Sequence, residues 1–190
     1  MRIKLSTLCA GAATAARQAQ GMVKKPALTL LAVVAMGLLP ASAMAVSAGD
    51  PAPDFRLPVL GTKAEQSLQD HRGQVVYLDF WASWCAPCRK SMPFMEALHQ
   101  ELASEGLRIL AVNLDDEQAP ALKFVERYGV TYTNVFDGMA TLPEKYKVMG
   151  MPTAVLIDRK GVVRWVHAGF SSKDEAEIRQ QIEAVLADPS

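Results

Sequence analysis

Two cysteines three residues apart, Cys85 and Cys88, stand in the segment Trp84-Cys85-Ala86-Pro87-Cys88. Before it lies a nearly continuous apolar run, Val75-Val76-Tyr77-Leu78-Asp79-Phe80, and after it an amphipathic stretch. The run reads as a central strand and the stretch as a helix, so Cys85 falls at a helix entrance. There, unpaired backbone N–H groups and the positive end of the helix dipole favour a thiolate over a thiol. The thiolate is the species that attacks a disulfide. A second cysteine one turn deeper can displace the first from a mixed disulfide. The spacing points to thiol–disulfide exchange, with Cys85 as nucleophile and Cys88 as resolving thiol. Pro87 suits an early helical position, where its missing N–H costs nothing.

Other uses of two cysteines compete. A structural zinc site wants four protein ligands, and the third cysteine, Cys9, belongs to a leader. A purely structural disulfide closing so short a loop constrains the unfolded chain little. Two unrelated core cysteines need neither the intervening Pro nor the helix entrance. Asp79 is the second residue of chemical interest. A carboxylate within an apolar strand is expensive to bury ionised, so its pKa should rise. Its plainer role is that of a strand acid satisfied by a neighbour such as a lysine. Met92, Met95, Met149, Met151 and His167 could join the cysteines as soft ligands for Cu(I), although methionine commonly serves as core filler. Trp81 and Trp84 divide between packing and a docking surface. His71 and His99 carry no ligand spacing and are expected at the surface.

The elements that must position these groups follow from periodicity. Residues 46–58, rich in Pro, Ala and Gly, read as an extended arm and loop. The strand over 75–80 leads to a helix from about Ala86 to Ser104, with Phe94, Met95, Leu98 and Leu102 on one stripe, a kink at Pro93 and an end at Glu105-Gly106. Leu107–Asn113 is a second strand, Ala119–Tyr128 a helix stopped by Gly129, Asn134–Phe136 a short strand, and Leu142–Tyr146 a brief helix. Thr153–Ile157 and Val162–His167 form a hairpin about Asp158-Arg159-Lys160-Gly161. A last helix over 172–186 opens with a capping-box pattern, Ser172 to Glu175. Strand–helix alternation followed by a hairpin and a helix implies one α/β domain with a mixed sheet between helices.

The chain has 190 residues with 20 basic and 20 acidic side chains. That is frequent enough charge to exclude a polytopic membrane protein, and three cysteines exclude a disulfide-scaffolded mini-protein. Residues 1–45 carry five basic and no acidic residues, leaving 15 basic against 20 acidic. An acidic body without a basic cluster argues against nucleic-acid binding. Ala27–Leu39 is an apolar run of 13 residues after Lys24-Lys25, with Pro40 and then Ala43-Met44-Ala45 behind it. This describes an export signal over residues 1–45, cut after Ala45, with Met22 as an alternative start. An N-terminal membrane anchor is the alternative, but the run is shorter than the ~20 residues that span a bilayer. The mature domain is residues 46–190, periplasmic or otherwise exported, in a compartment that permits disulfides.

Val76-Tyr77-Leu78-Asp79-Phe80-Trp81-Ala82-Ser83-Trp84-Cys85-Ala86-Pro87-Cys88 resembles the active-site segment of thioredoxin-fold proteins. With Gly49-Asp50-Pro51-Ala52-Pro53-Asp54-Phe55 upstream, the mature chain resembles the exported TlpA/ResA-type thiol-disulfide reductases. The resemblance implies a thioredoxin-like three-layer α/β/α fold with a mixed central sheet and an inserted strand–helix element. It implies a cis-proline loop at Gly150-Met151-Pro152-Thr153, opposite the cysteines, in which the Met151–Pro152 bond is cis and the Met151 backbone pairs with an extended substrate. It also implies Asp79 as proton acceptor for Cys88 through water, and an active-site surface of Trp84, Ala86, Pro87 and Met151. Protein clients with disulfides or oxidised thiols, a membrane thiol-reducing electron donor, a monomer, and no cofactor or metal complete the expectation.

Rival activities differ at particular positions. Peroxidase relatives of the fold place Thr or Ser where Ala82 stands, with a Pro upstream of the cysteine that this chain lacks. Copper-delivery relatives use CxxxC rather than CxxC. Disulfide-donating oxidases carry His just before the second cysteine, where Pro87 stands, so reduction is the expected direction. Haem-pathway members of the ResA type often have Glu at the position of Ala86 and Asn at that of Asp79. Both departures favour a general reductase.

Overall fold

A computed structural model describes residues 46–189. The expected leader, with its start at Met22 and cleavage after Ala45, lies outside the described residues. In chain order the elements are β1 (Arg56–Pro58), β2 (Glu65–Ser67), β3 (Val75–Trp81), α1 (Cys88–Leu102), β4 (Leu107–Asn113), α2 (Gln118–Tyr128), β5 (Thr133–Phe136), α3 (Thr141–Tyr146), β6 (Thr153–Ile157), β7 (Val163–Ala168) and α4 (Glu175–Ala187). Five strands form one mixed sheet in the order β5-β4-β3-β6-β7. The β3–β4 and β4–β5 pairs are parallel, and β3–β6 and β6–β7 antiparallel. The strand before the cysteines is therefore the centre of the sheet, and all seven of its residues are buried.

Alternation along β3 sends Val75, Tyr77 and Trp81 to one face, where Met92, Met95 and Leu98 of α1, Phe124 of α2 and Ile178 and Ile182 of α4 cover them. Val76, Leu78 and Phe80 go to the other, beneath Leu142 and Tyr146 of α3 and Ala52 and Phe55 of the arm. The result is a three-layer α/β/α fold, with α2, β5 and α3 between β4 and the final hairpin supplying the inserted strand–helix element. Among the described residues no helix is long and apolar enough to cross a membrane.

Several local expectations are corrected. Helix α1 starts at Cys88 rather than about Ala86, with Pro93 inside it as expected. Its buried stripe includes Met92, while Phe94 is only half-buried. The arm does more than extend: β1 pairs antiparallel with β2, a strand the polar residues Glu65 and Gln66 conceal. Gly49, Asp50 and Ala52 hydrogen-bond to Gly161 and Val163, covering the start of the β7 edge of the sheet. The capping box at Ser172 does not form. The Asp174 carboxylate instead accepts from the N–H and hydroxyl of Ser171 at 2.6 and 3.0 Å, and the helix starts at Glu175. His71 and His99 are half-buried rather than exposed, His99 lying edge-on to Tyr132. Gly129 does stop α2, at φ 62°, a left-handed conformation that lets its N–H reach the carbonyls of Val125 and Glu126.

Candidate active site

The central strand hands over to α1 through a tight turn. The Cys85 N–H donates to the Ala82 carbonyl at 3.1 Å, and the N–H groups of Lys90 and Ser91 both donate to the Pro87 carbonyl. Pro87 precedes the helix with helical φ and ψ of −65° and −33°, pre-set by its ring. Cys85 and Cys88 are joined in a disulfide, their Cα atoms 5.3 Å apart. The Cys88 N–H, one of the helix's unpaired donors, points at the Cys85 sulfur at 3.3 Å. A backbone N–H so placed is of the kind that favours a thiolate at a helix entrance.

The two sulfurs differ in access. Cys85 is 5% exposed and lines a groove of about 580 Å³, whereas Cys88 is 0% exposed and packs in the core beneath. On one side the groove is lined by Trp84, Ala86 and Pro87, and on the other by Ala140, Pro143 and Val148 to Met151. No charged side chain lines it. Trp84 is 67% and Met149 97% exposed, which leaves two large apolar groups beside the disulfide open to a partner. The Met151–Pro152 bond is cis, in the loop that borders the same groove. Pro152 is buried, and its carbonyl accepts from the Gly169 N–H at 2.7 Å.

Asp79 projects from β3 to the same face of the sheet as Tyr77 and Trp81, the face under which Cys88 packs. It is 3% exposed, and its Oδ2 has no hydrogen-bond partner. Burial pushes its carboxyl up from 3.8 to about 8. The nearby phenols of Tyr77 and Tyr132 are also raised, first by burial and then by the Asp79 charge. A carboxyl in this state is largely protonated at neutral pH.

Of the sulfur and imidazole groups proposed for Cu(I), only Met149 and Met151 line the groove with Cys85. Met92 and Met95 lie in the core, and His167 stacks on Trp165 with its Nε2 3.9 Å from Asp174. Trp81 packs against Phe124, while Trp84 is open to solvent. Sequence reasoning missed Leu114, Ala140, Pro143 and Val148, which line the groove from three separate segments. No local pattern announces them. Leu114 alone carries a signal, because it follows the carboxyl end of a parallel strand, where α/β proteins place their sites.

Comparison with known proteins agrees with this geometry. Residues 47–182 match the Redoxin family. The chain is 34% identical over 174 residues to the thiol-disulfide oxidoreductase ResA of Geobacillus thermodenitrificans, covering 89% of this chain and 98% of that one. It is 38% identical over 135 residues to the thioredoxin-like protein YneN of Bacillus subtilis, covering 70% and 78%. A crystal structure from Chlorobium tepidum, described as a thiol:disulfide interchange protein DsbE, superposes with a TM-score of 0.73 and 44% identity, covering 75% of this chain and all of that one. The chain therefore belongs to the Redoxin family as a TlpA/ResA-like thiol-disulfide oxidoreductase.

Proposed function

We propose that the protein is exported by cleavage of residues 1–45, acts as a monomer, and passes two electrons from Cys85 and Cys88 to disulfides of protein clients. The observation that carries this reading is the asymmetry of the pair: Cys85 opens on an uncharged groove under the Cys88 N–H, while Cys88 is sealed beneath it. In the reduced protein the Cys85 thiolate attacks one sulfur of a client disulfide, and the other client sulfur leaves as a thiolate. In molecules whose Asp79 is ionised, a state that its value of about 8 leaves within reach near neutral pH, Cys88 gives its proton to that carboxylate through water and attacks the Cys85 sulfur. The second client thiolate leaves, and the Cys85–Cys88 disulfide closes. The client gains the two electrons that the pair loses, and no cofactor takes part.

Asp79 keeps the proton afterwards, as its raised pKa favours. A membrane thiol-reducing protein returns the electrons, and Asp79 then reprotonates Cys88. Trp84, Ala86, Pro87 and Met151 form the docking surface, with the Pro152 loop opposite the thiols. Because no charged side chain lines the groove, client segments with apolar residues beside their cysteine suit it best. The direction is reduction, since the position before Cys88 holds Pro87 and not a histidine that would stabilise the dithiol.

Expression of the full-length precursor in a Gram-negative bacterium tests the reading. The periplasm is expected to contain a chain starting at Val46, and Cys88→Ser to accumulate mixed disulfides with proteins that Cys85→Ser does not form. An uncut cytoplasmic chain overturns export. A Cys88→Ser protein free of mixed disulfides overturns client reduction.

A further inference from the structure

Apart from the thiols and the acid beneath them, the structure holds a hydrogen-bonded corner at the carboxyl end of β4. Asn113 ends the strand fully buried, and Asp115, two residues on, is 3% exposed. Asp115 reaches across to the turn that carries the nucleophile. Its Oδ2 accepts from the Ser83 N–H at 3.0 Å and from Asn113 Nδ2 at 2.7 Å, and its Oδ1 accepts from the Ser83 hydroxyl at 2.8 Å. Between these residues the Leu114 N–H donates to the Trp81 carbonyl at 2.9 Å. The start of the turn is thus tied to β4 at three points.

The opposite wall of the groove hangs from the same corner. The Asn113 carbonyl accepts from the Asp137 N–H at 2.9 Å. The Asp137 carboxylate in turn accepts from the N–H and hydroxyl of Thr141 and the N–H of Leu142, fixing the start of α3. Ala140 and Pro143 flank these bonds and line the groove with Cys85, as does Leu114. A buried carboxylate is costly, and here three donors meet that cost.

We propose that Asp115 is a positioning residue for the exchange reaction: through Ser83 it fixes the Cys85 turn against the entrance of α1 and the α3 side of the groove. The inference rests on Cys85 being the nucleophile. The Cys85 sulfur receives a single hydrogen bond, from the Cys88 N–H at 3.3 Å, and its own N–H is held by Ala82 within the same turn. A small rotation of that turn weakens the bond to sulfur and misaims the thiolate for in-line attack. Among the described residues, the hydrogen bonds from this turn to the end of β4 are those at Trp81 and Ser83.

The charge of Asp115 acts in the opposite sense, because an anion near the turn disfavours a thiolate. The two contributions separate by substitution. Asp115→Asn keeps an oxygen for the two N–H donors and offers its amide to the Ser83 hydroxyl, so it retains the geometry and removes the charge. Asp115→Ala removes both. Asp116 and Glu117, which line the cleft beside Trp84 with Ser83 and Asp115, stay the same in both variants.

The test is iodoacetamide alkylation of the reduced full-length chain across pH 5–10, with the labelled cysteine identified by mass spectrometry. At pH 7, Asp115→Ala is expected to label Cys85 about tenfold more slowly than Asp115→Asn, with its profile displaced to higher pH. Coincident profiles for the two variants overturn the inference. Ser83→Ala deletes only the hydroxyl bond, and should the Asp115→Ala chain not fold, it serves instead: a rate below wild type supports the inference and a wild-type profile overturns it. First labelling at Cys88 overturns the nucleophile assignment and this inference with it, whereas coincident profiles at Cys85 leave that assignment standing.

Discussion

Replacing Asp79 by Asn should remove a pH dependence that wild-type stability carries between pH 5 and 8. Burial alone raises this carboxyl from 3.8 to about 8. The folded protein therefore holds a proton over a range in which the unfolded chain has lost it. With the folded value above the unfolded one, this contribution is fully present below the unfolded value and is lost as pH rises toward the folded one. One such proton changes stability by about 1.4 kcal/mol per pH unit. Integrated from pH 5 to pH 8, wild type loses about 3.5 kcal/mol more than Asp79→Asn. The amide also alters packing and hydrogen bonding, but by an amount that does not vary with pH. The difference between the two pH profiles thus isolates the proton. Urea unfolding of both oxidised proteins at half-unit pH steps reads it directly. Parallel profiles refute a buried, proton-holding Asp79 and remove it from the Cys88 step.

Two further outcomes follow from the structure. Trp84→Ala deletes the largest exposed apolar group beside the disulfide, so KM for protein clients should rise by roughly 30-fold, the loss expected of one aromatic anchor. Exchange with dithiothreitol, which does not span the groove, should stay unchanged, and stopped-flow fluorescence distinguishes the two. Arg159 donates to the carbonyls of Val185, Leu186 and Asp188, closing the C-terminal end of α4. Arg159→Ala should therefore lower unfolding free energy by about 1–2 kcal/mol, measured by urea denaturation, without altering redox activity.

Much of this was legible in the residue pattern because burial is two-sided. The runs at Val75–Trp81, Leu107–Asn113 and Thr153–Ile157 are apolar on both faces, which only central strands require, and their order forces the cysteines to the end of the sheet. Polar edge segments leave no such trace. Glu65–Ser67 pairs with Arg56–Pro58 through backbone bonds and a 3.5 Å contact from Arg56 to the Ser67 hydroxyl, and neither leaves an apolar pattern that betrays it. The Ser172–Glu175 pattern failed because Asp174 competed, turning back to Ser171, and the helix starts at Glu175, three residues after Ser172. The chemistry of Cys85, Cys88 and Asp79 could be read locally. The groove could not, because Leu114, Ala140 and Met149 meet only once the parallel β4 and the antiparallel β6 are set on either side of β3.

The most direct test of the central claim is the equilibrium reduction potential of the Cys85–Cys88 pair, titrated against glutathione or dithiothreitol, with Cys85→Ser and Cys88→Ser as controls. A value toward the thioredoxin end of the range, about −270 mV, is predicted for a pair that delivers electrons to clients. A value toward about −120 mV would contradict the account and make the protein a disulfide donor.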